Sequence, residues 1–192
     1  MAKKRHRTAF QKANADLEAE GRRQCFLLYS ATALALHRHW GKRKTAILSL
    51  FEITGDVWHS CASTNDYSMI EMCEQETGIE VQNGDGKSWE DLPYLNATLD
   101  NKRMTNAQWV YMRQQQKKWI APQVMACIMV ALHRKYGFGF DRLSRIYSQI
   151  QDIEAEYAHS PERIQKAARE LTGINIYDIV TQPHKEKEAQ VV

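Results

Sequence analysis

The stretch ALHRHWG at Ala35–Gly41 recurs 96 residues farther on as ALHRKYG at Ala131–Gly137. A second match follows in the same order, TGIEV at Thr77–Val81 and TGINI at Thr172–Ile176, now offset by 95. Ordered matches at nearly constant spacing are typical of tandem copies of one structural unit. The sequence therefore predicts an internal duplication, and the unit that is duplicated decides the fold.

Each copy contains one strongly apolar helix. Cys25–Leu36 and Val124–Leu132 are apolar around most of a helical circumference, which indicates a helix buried on all sides. Gly41 and Gly137 follow these helices, and glycine readily adopts the left-handed conformation that ends a helix.

The long helices that carry these apolar segments have two ambiguous points. The first is predicted to run from Thr8 to Trp40, with a possible break at Gly21. In the second, Pro122 either begins the buried helix or kinks a longer helix that starts near Asn106.

An amphipathic helix is predicted after each of the two glycines. Apolar residues keep helical spacing between Ile47 and Cys61 in the first copy, and between Leu143 and Tyr157 in the second. A shorter helix comes next. In the second copy it begins at Ser160-Pro161, where serine caps the helix and proline takes its first position.

The first copy's shorter helix is predicted to begin after Thr64 or Asn65 and to end at Gly78. Gly173 ends its counterpart. The tails that follow, Ile79–Val81 and Ile174–Ile176, are predicted to be short extended segments.

The predicted fold class is all-α. A three-helix copy alone would expose its apolar faces, so we expect the copies to pack around their buried helices with approximate two-fold symmetry as one globular domain. The predicted divisions of the chain are a disordered basic arm (1–7), a first repeat (8–81), a linker (82–105), a second repeat (106–180) and a frayed tail (181–192).

Composition indicates a folded protein of the cytoplasm. The 192 residues are 43% hydrophobic and 26% charged, which is typical of globular domains. The four cysteines form no CxxC pair and are predicted to be reduced. Both apolar segments are shorter than the roughly 20 residues needed to cross a bilayer, so no membrane association is predicted.

The net charge of +3 hides a strong segregation of charge. Residues 1–44 carry a balance of +8, residues 45–100 carry −10, residues 101–145 carry +8, and residues 146–192 carry −3. Either the basic stretch of one copy packs near the acidic stretch of the other, or the basic faces meet an anionic partner. Both interpretations remain open at this point.

Catalytic and metal-binding motifs are not found. His37 and His133 occupy equivalent positions but have no HExxH or paired CxxC pattern around them, so each ring is predicted to bind a carbonyl at its helix end. His59 and Cys61 make a weak metal pair. Gly137–Phe140 lacks the phosphate-loop pattern and is predicted to be a helix-to-helix turn. No enzymatic activity, cofactor or metal is predicted.

Basic clusters with aromatic neighbours are the remaining functional signal, because such groups neutralise phosphates or acidic surfaces. In the first copy, Lys42-Arg43-Lys44 stands where the second has Phe138-Gly139-Phe140, so we expect an exposed basic turn opposite a buried aromatic one. The candidate binding residues are Arg22, Arg23, Arg38, Lys42, Arg43, Lys44, Lys117, Lys118, Arg134 and Lys135.

The second copy resembles a family of uncharacterised phage and prophage proteins of low-GC Gram-positive bacteria. The shared pattern is an apolar helix ending in LH, a [FY]GFG turn, RL on the next helix and a TGI close, matched here between Val124 and Ile176. The first copy departs from it at Lys42–Lys44. The resemblance implies a phage-type accessory protein acting in the host cytoplasm, with no known activity.

Two hypotheses of function follow. The first is a non-enzymatic accessory protein that binds a host or phage macromolecule and modulates it, for example by inhibiting a defence or transcription component. The second is a nucleic-acid-binding regulatory protein that uses paired basic faces. No helix-turn-helix, zinc-finger or RNA-recognition signature supports a specific nucleic-acid mode. The sequence does not define the oligomeric state.

Overall fold

The computed structural model describes residues 8–62, 68–81 and 105–181. These ranges contain helices and no strand, so the all-α prediction is confirmed. The predicted arm, the linker up to residue 104, the tail from residue 182, and the predicted caps at Thr64 or Asn65 lie outside the described residues. The helices are α1 (Ala9–Trp40), α2 (Lys44–Ala62), α3 (Ser68–Thr77), α4 (Asn106–Tyr136), α5 (Phe140–Glu156), α6 (Pro161–Thr172) and α7 (Ile176–Thr181).

The two long helices, α1 and α4, begin with the same hydrogen bonds. The Thr8 hydroxyl accepts the Gln11 backbone N–H at 3.2 Å, and the Gln11 side chain accepts the Thr8 N–H at 3.0 Å. Thr105 and Gln108 repeat this reciprocal cap at the start of α4. Such a capping box satisfies backbone donors that have no partner within the helix.

Both long helices are continuous. α1 runs through Gly21, so the alternative of a break there does not occur. α4 runs through Pro122, so the alternative in which Pro122 begins a helix is wrong. The residues around Pro122 are buried, and their packing compensates for the backbone hydrogen bond that proline cannot donate.

The shorter helices α3 and α6 also end alike. Gly78 and Gly173 close them with φ of 71° and 69°. The preceding threonine in each case, Thr77 or Thr172, donates its hydroxyl to the carbonyl four residues earlier and accepts the N–H two residues later. The sequence TGI therefore folds into the same local structure twice.

The long helix of each half packs mainly against the short helices of the other half, where the first half is residues 8–81 and the second half is residues 105–181. α1 lies against α5 and α6, and α4 lies against α2 and α3. α1 and α4 also pack extensively on each other, whereas each of them makes few contacts with the short helices of its own half. The two halves thus complete each other's core.

A single hydrophobic core results from this packing. It draws buried residues from all seven helices, including Leu36 and Leu132, which are both 0% exposed. All four cysteines are free, as predicted, and three of them are buried. No helix within residues 8–62, 68–81 and 105–181 combines the length and hydropathy of a bilayer-crossing segment.

The tail Ile174–Ile176 is not wholly extended, because α7 begins at Ile176. The apolar side chains Ile176, Ile179 and Val180 recur at helical spacing, which places them on one face of this short helix. α7 packs against α1, and Tyr177 stacks on Phe26 of α1 with ring centroids 5.9 Å apart. This helix was not among the predicted elements.

Glu154 on α5 gives the fold a predictable pH dependence. Burial raises the pKa of its carboxyl to about 7, and nearby Arg23 offsets only part of this effect. The folded protein therefore holds this proton more tightly than the unfolded chain. The resulting stabilisation is fully present below the unfolded value of 4.5 and is lost as the pH rises through about 7.

The substitution Glu154→Gln keeps this site neutral at every pH. We expect the variant to melt at a higher temperature than the parent at about pH 8, and at nearly the same temperature at about pH 5. Thermal melts at both pH values measure the difference. Glu170→Gln, at an exposed position on α6, is the matched control and should melt like the parent at both. Equal melting of Glu154→Gln and parent at pH 8 would contradict the assignment.

Candidate binding surface

The C-terminal ends of α1 and α4 meet in an aromatic cluster formed by Trp40, Tyr136 and Phe138. The ring centroids of Trp40 and Phe138 are 4.8 Å apart, and those of Tyr136 and Phe138 are 5.4 Å apart. Such tilted ring pairs contribute about 0.5–1.5 kcal/mol each beyond the area they bury. The polar atoms of two of these rings are also hydrogen-bonded. The Trp40 indole N–H donates to the Gln149 side chain, and the Tyr136 hydroxyl donates to the Ala46 carbonyl. The cluster therefore fixes both helix ends.

The two turns next to the aromatic cluster have the same backbone conformation. Gly41 and Gly137 close α1 and α4 in the left-handed conformation, with φ of 60° and 62°. His133 Nδ1 lies 2.9 Å from the Phe138 carbonyl oxygen, and His37 Nδ1 lies 3.4 Å from that of Lys42. Because a carbonyl only accepts, Nδ1 carries the proton in each hydrogen bond. The predicted role of both histidines is confirmed.

Three cations surround the aromatic cluster. Lys42 Nζ lies 4.3 Å from the centre of the Tyr136 ring, and Lys135 Nζ lies 5.6 Å from it. The Arg142 guanidinium carbon lies 5.9 Å from the centre of the Phe138 ring. These distances suit attraction between a cation and a ring face. Arg142 was not among the predicted site residues, although it follows the aromatic turn at Phe138 by only four residues.

Arg43 and Lys44 are the most available cations of this region. Both are exposed, and within the described ranges neither forms an ion pair. The predicted exposure of the basic turn is confirmed for Arg43 and Lys44 but only in part for Lys42, which is half-exposed because its ammonium group lies on Tyr136. We call Lys42, Arg43, Lys44, Lys135 and Arg142 the turn surface.

The aromatic turn of the second half is only partly buried. Phe138 is 4% exposed, as predicted, but Phe140 is 57% exposed. Phe140 is the first residue of α5, and its ring packs beside Gly78, 3.4 Å from where a Cβ would stand. Lys44, at the matching first position of α2, approaches Gly173 in the same way at 3.9 Å. The expectation of a fully buried turn is therefore wrong for Phe140.

Arg38 and Arg134 are neutralised within the molecule. Arg38 donates to Glu156 at 2.7 Å and to the Tyr157 hydroxyl at 2.8 Å, and Arg134 Nε donates to Glu76 at 3.0 Å. These hydrogen bonds lower the pKa of both glutamates. Each pair joins the basic stretch of one half to the acidic stretch of the other, so the first interpretation of the charge segregation holds for these two residues.

The remaining candidates lie far from the turn surface. Arg23 is occupied by Glu20 at 3.2 Å and by the His159 carbonyl at 3.3 Å. Arg22 precedes Trp40 on α1 by 18 residues, and Lys118 precedes Tyr136 on α4 by the same number. At 1.5 Å per residue, each is roughly 27 Å from the aromatic cluster along its helix. Lys117, one residue before Lys118, is slightly farther away, so the ten predicted residues do not form one site.

In the part of the chain that the structure describes, no group of three His, Cys, Asp or Glu residues is placed to hold a metal ion. The chain matches no protein-family model, and no curated protein or solved structure is significantly similar to it.

Proposed function

We propose that this protein is a non-enzymatic accessory protein of the phage type, and that its turn surface binds an acidic face of a host or phage protein. Binding modulates the partner in the host cytoplasm, for example by inhibiting a defence or transcription component. The observation that supports this most directly is the exposure of Arg43 and Lys44, which have no ion pair among the described residues, on a rigid turn.

The rigidity of the turn is what makes it suitable for binding. Lys42 directly follows the left-handed cap at Gly41 and its ammonium group lies on the Tyr136 ring, and Arg43 and Lys44 come next. The backbone of this turn is therefore already ordered before a partner binds. Less binding free energy is lost in ordering the surface. Complementary charge then mainly accelerates association and selects the partner.

A protein partner is favoured over nucleic acid by the distribution of the cations. Binding to a phosphate backbone requires several cations that can each displace a counterion. Arg38 and Arg134 are already paired with carboxylates, and Arg22, Lys117 and Lys118 lie roughly 27 Å away along the helices. The turn surface is compact, so it matches an acidic patch better than a long strand.

We also propose that the two halves are duplicated copies related by approximate two-fold symmetry. This is supported by the matching capping boxes at Thr8 and Thr105, the matching left-handed glycines and the reciprocal packing of α1 and α4. After such a duplication, one copy kept an aromatic turn while the other was free to acquire the basic Lys42–Lys44 turn. The divergence is a further reason to assign binding to the first copy.

Reversing the charge of the turn tests this proposal. We expect Lys42→Glu, Arg43→Glu and Lys44→Glu together to change the free energy of unfolding by no more than about 1 kcal/mol, since these are surface positions. The parent and the variant, each biotinylated, are incubated with lysate of a low-GC Gram-positive bacterium, and the captured proteins are quantified. A specific host protein should be captured by the parent and lost by the variant.

The matched control is the triple variant Lys12→Glu, Arg163→Glu and Lys166→Glu, which makes the same change of net charge at other exposed positions. It should capture the host protein as the parent does. Equal capture by the turn variant would contradict the proposal. So would tight binding of the parent to labelled DNA or RNA at about 50 mM salt that the turn variant loses, since this result would establish the nucleic-acid alternative.

A further inference from the structure

A cleft of about 510 Å³ lies between α1, α2, α4 and α7, and the turn surface contributes no residue to it. Its volume falls within the range of about 300–1,000 Å³ that is usual for small-molecule sites. Both halves of the chain build it, with α1 and α2 from the first half and α4 and α7 from the second. The larger apolar side chains that line it include Tyr29, Leu48, Phe51, Trp58, Ile179 and Val180.

The inner wall of the cleft is uncharged. Tyr29 and Phe51 stack with ring centroids 4.6 Å apart and planes within 3° of parallel. Burial raises the pKa of the Cys25 thiol to about 11 and raises that of Cys127 as well, so both thiols are neutral at physiological pH. The Thr54 hydroxyl donates to the Leu50 carbonyl, so its proton is already used. This wall offers a ligand chiefly apolar contact.

The outer wall leaves apolar surface in contact with water. Leu48, Trp58, Ile179 and Val180 all line the cleft, and all four are only partly buried. Covering apolar surface is favourable by about 25 cal/mol for each Å² removed from water. An apolar ligand would gain this free energy without any rearrangement of the core.

The apolar character of α2 at the cleft is not shared by α5. Ninety-six residues after Leu48, Gly55 and Trp58, the second half carries Ser144, Gln151 and Glu154. The helical fold therefore does not require apolar residues at these three positions of α2. Gly55 also costs α2 about 1 kcal/mol of helix propensity relative to alanine, and it lines the cleft.

The charge at the cleft selects among apolar ligands. Glu52 is the one carboxylate among the described lining residues, which include His59 but no lysine or arginine, and it is exposed. An anionic head would be repelled by this carboxylate, while a cationic head would be attracted to it.

We propose that this cleft binds an apolar small molecule with a positively charged head, the chemistry of a long-chain or aromatic amine. The apolar body lies between Phe51, Trp58 and Val180, and the ammonium group lies near Glu52. The site is independent of the turn surface and of the partner bound there.

Binding of dodecylammonium below its micellar concentration, followed by tryptophan fluorescence and calorimetry, tests this proposal. We expect saturable binding at one site, and about tenfold weaker binding of dodecanoate because attraction to Glu52 becomes repulsion. Gly55→Gln should weaken dodecylammonium binding about tenfold or more by filling the cleft. Glu52→Gln should remove the preference for dodecylammonium over dodecanoate.

Gln151→Gly is the matched control, because it makes the reverse exchange at the equivalent, exposed position of α5 and should leave binding unchanged. Thermal melts verify that each variant is folded. If Gly55→Gln does not fold, Trp58→Ala removes apolar contact at the outer wall without changing the charge and should weaken binding similarly, as measured by calorimetry. Absence of saturable binding, equal affinity of the parent for dodecanoate and dodecylammonium, or unchanged dodecylammonium affinity in a folded Gly55→Gln or Trp58→Ala variant would overturn the proposal.

Discussion

Replacing Leu132 by alanine is expected to lower the free energy of unfolding by about 2–5 kcal/mol. Leu132 is 0% exposed and belongs to the single core shared by both halves. Truncation removes apolar contacts and leaves a cavity that the packed helices around it fill only in part. Leu36→Ala should cost a similar amount, because Leu36 occupies the equivalent place on α1 and is also 0% exposed.

Urea denaturation followed by circular dichroism measures both effects. Leu171→Ala is the control, since this leucine is 49% exposed on α6 and its truncation should change stability by no more than about 0.5 kcal/mol. Each variant should unfold in one cooperative transition, because damage to either half weakens the shared core. A midpoint unchanged by Leu132→Ala would show that this helix is not part of the core.

Features governed by neighbours in sequence could be predicted from the chain. The apolar segment before Leu36 and Leu132, the glycines that end α1 and α4, and the serine cap of α6 all follow from local periodicity and backbone preference. These rules act within a few residues, so they need no knowledge of the rest of the fold. The resulting helix boundaries agree closely with the structure.

Features governed by distant partners could not be predicted. The pairing of Arg38 with Glu156 and of Arg134 with Glu76 joins residues far apart in sequence, so no local pattern marks these arginines as unavailable. Lys42 is partly shielded for the same reason, because Tyr136 belongs to the other half. Fewer of the predicted basic residues are therefore available for binding, because the fold pairs some of them with acidic or aromatic side chains of the other half.

Phe140 and the cleft illustrate a second limit. An aromatic residue in a turn usually indicates burial, yet Phe140 is largely exposed because the first turn of α5 points it along the surface beside Gly78. The cleft combines residues from four helices, and Gly55 gave no signal of its own because a glycine within a helix is commonly tolerated. Such sites depend on how helices meet, which periodicity does not specify.

Separating the two halves is expected to remove most of the helical structure of each. The apolar face of α1 is covered by α5, α6 and α4, all of which belong to the second half, and α4 depends in the same way on α1, α2 and α3. A fragment of residues 1–81 would therefore expose most of the core side chains of α1. Helices in proteins gain most of their stability from tertiary packing, so neither fragment has enough burial to remain folded alone.

Reassembly of the two fragments tests the interleaved fold most directly. Residues 1–81 are held at fixed concentration and titrated with residues 105–192, while helical circular dichroism and the thermal melt are recorded. The structure predicts little helix in either fragment alone, a saturable gain of helix at a one-to-one ratio, and a cooperative melt of the mixture. Fragments that each fold and melt cooperatively alone, with no change on mixing, would contradict the account.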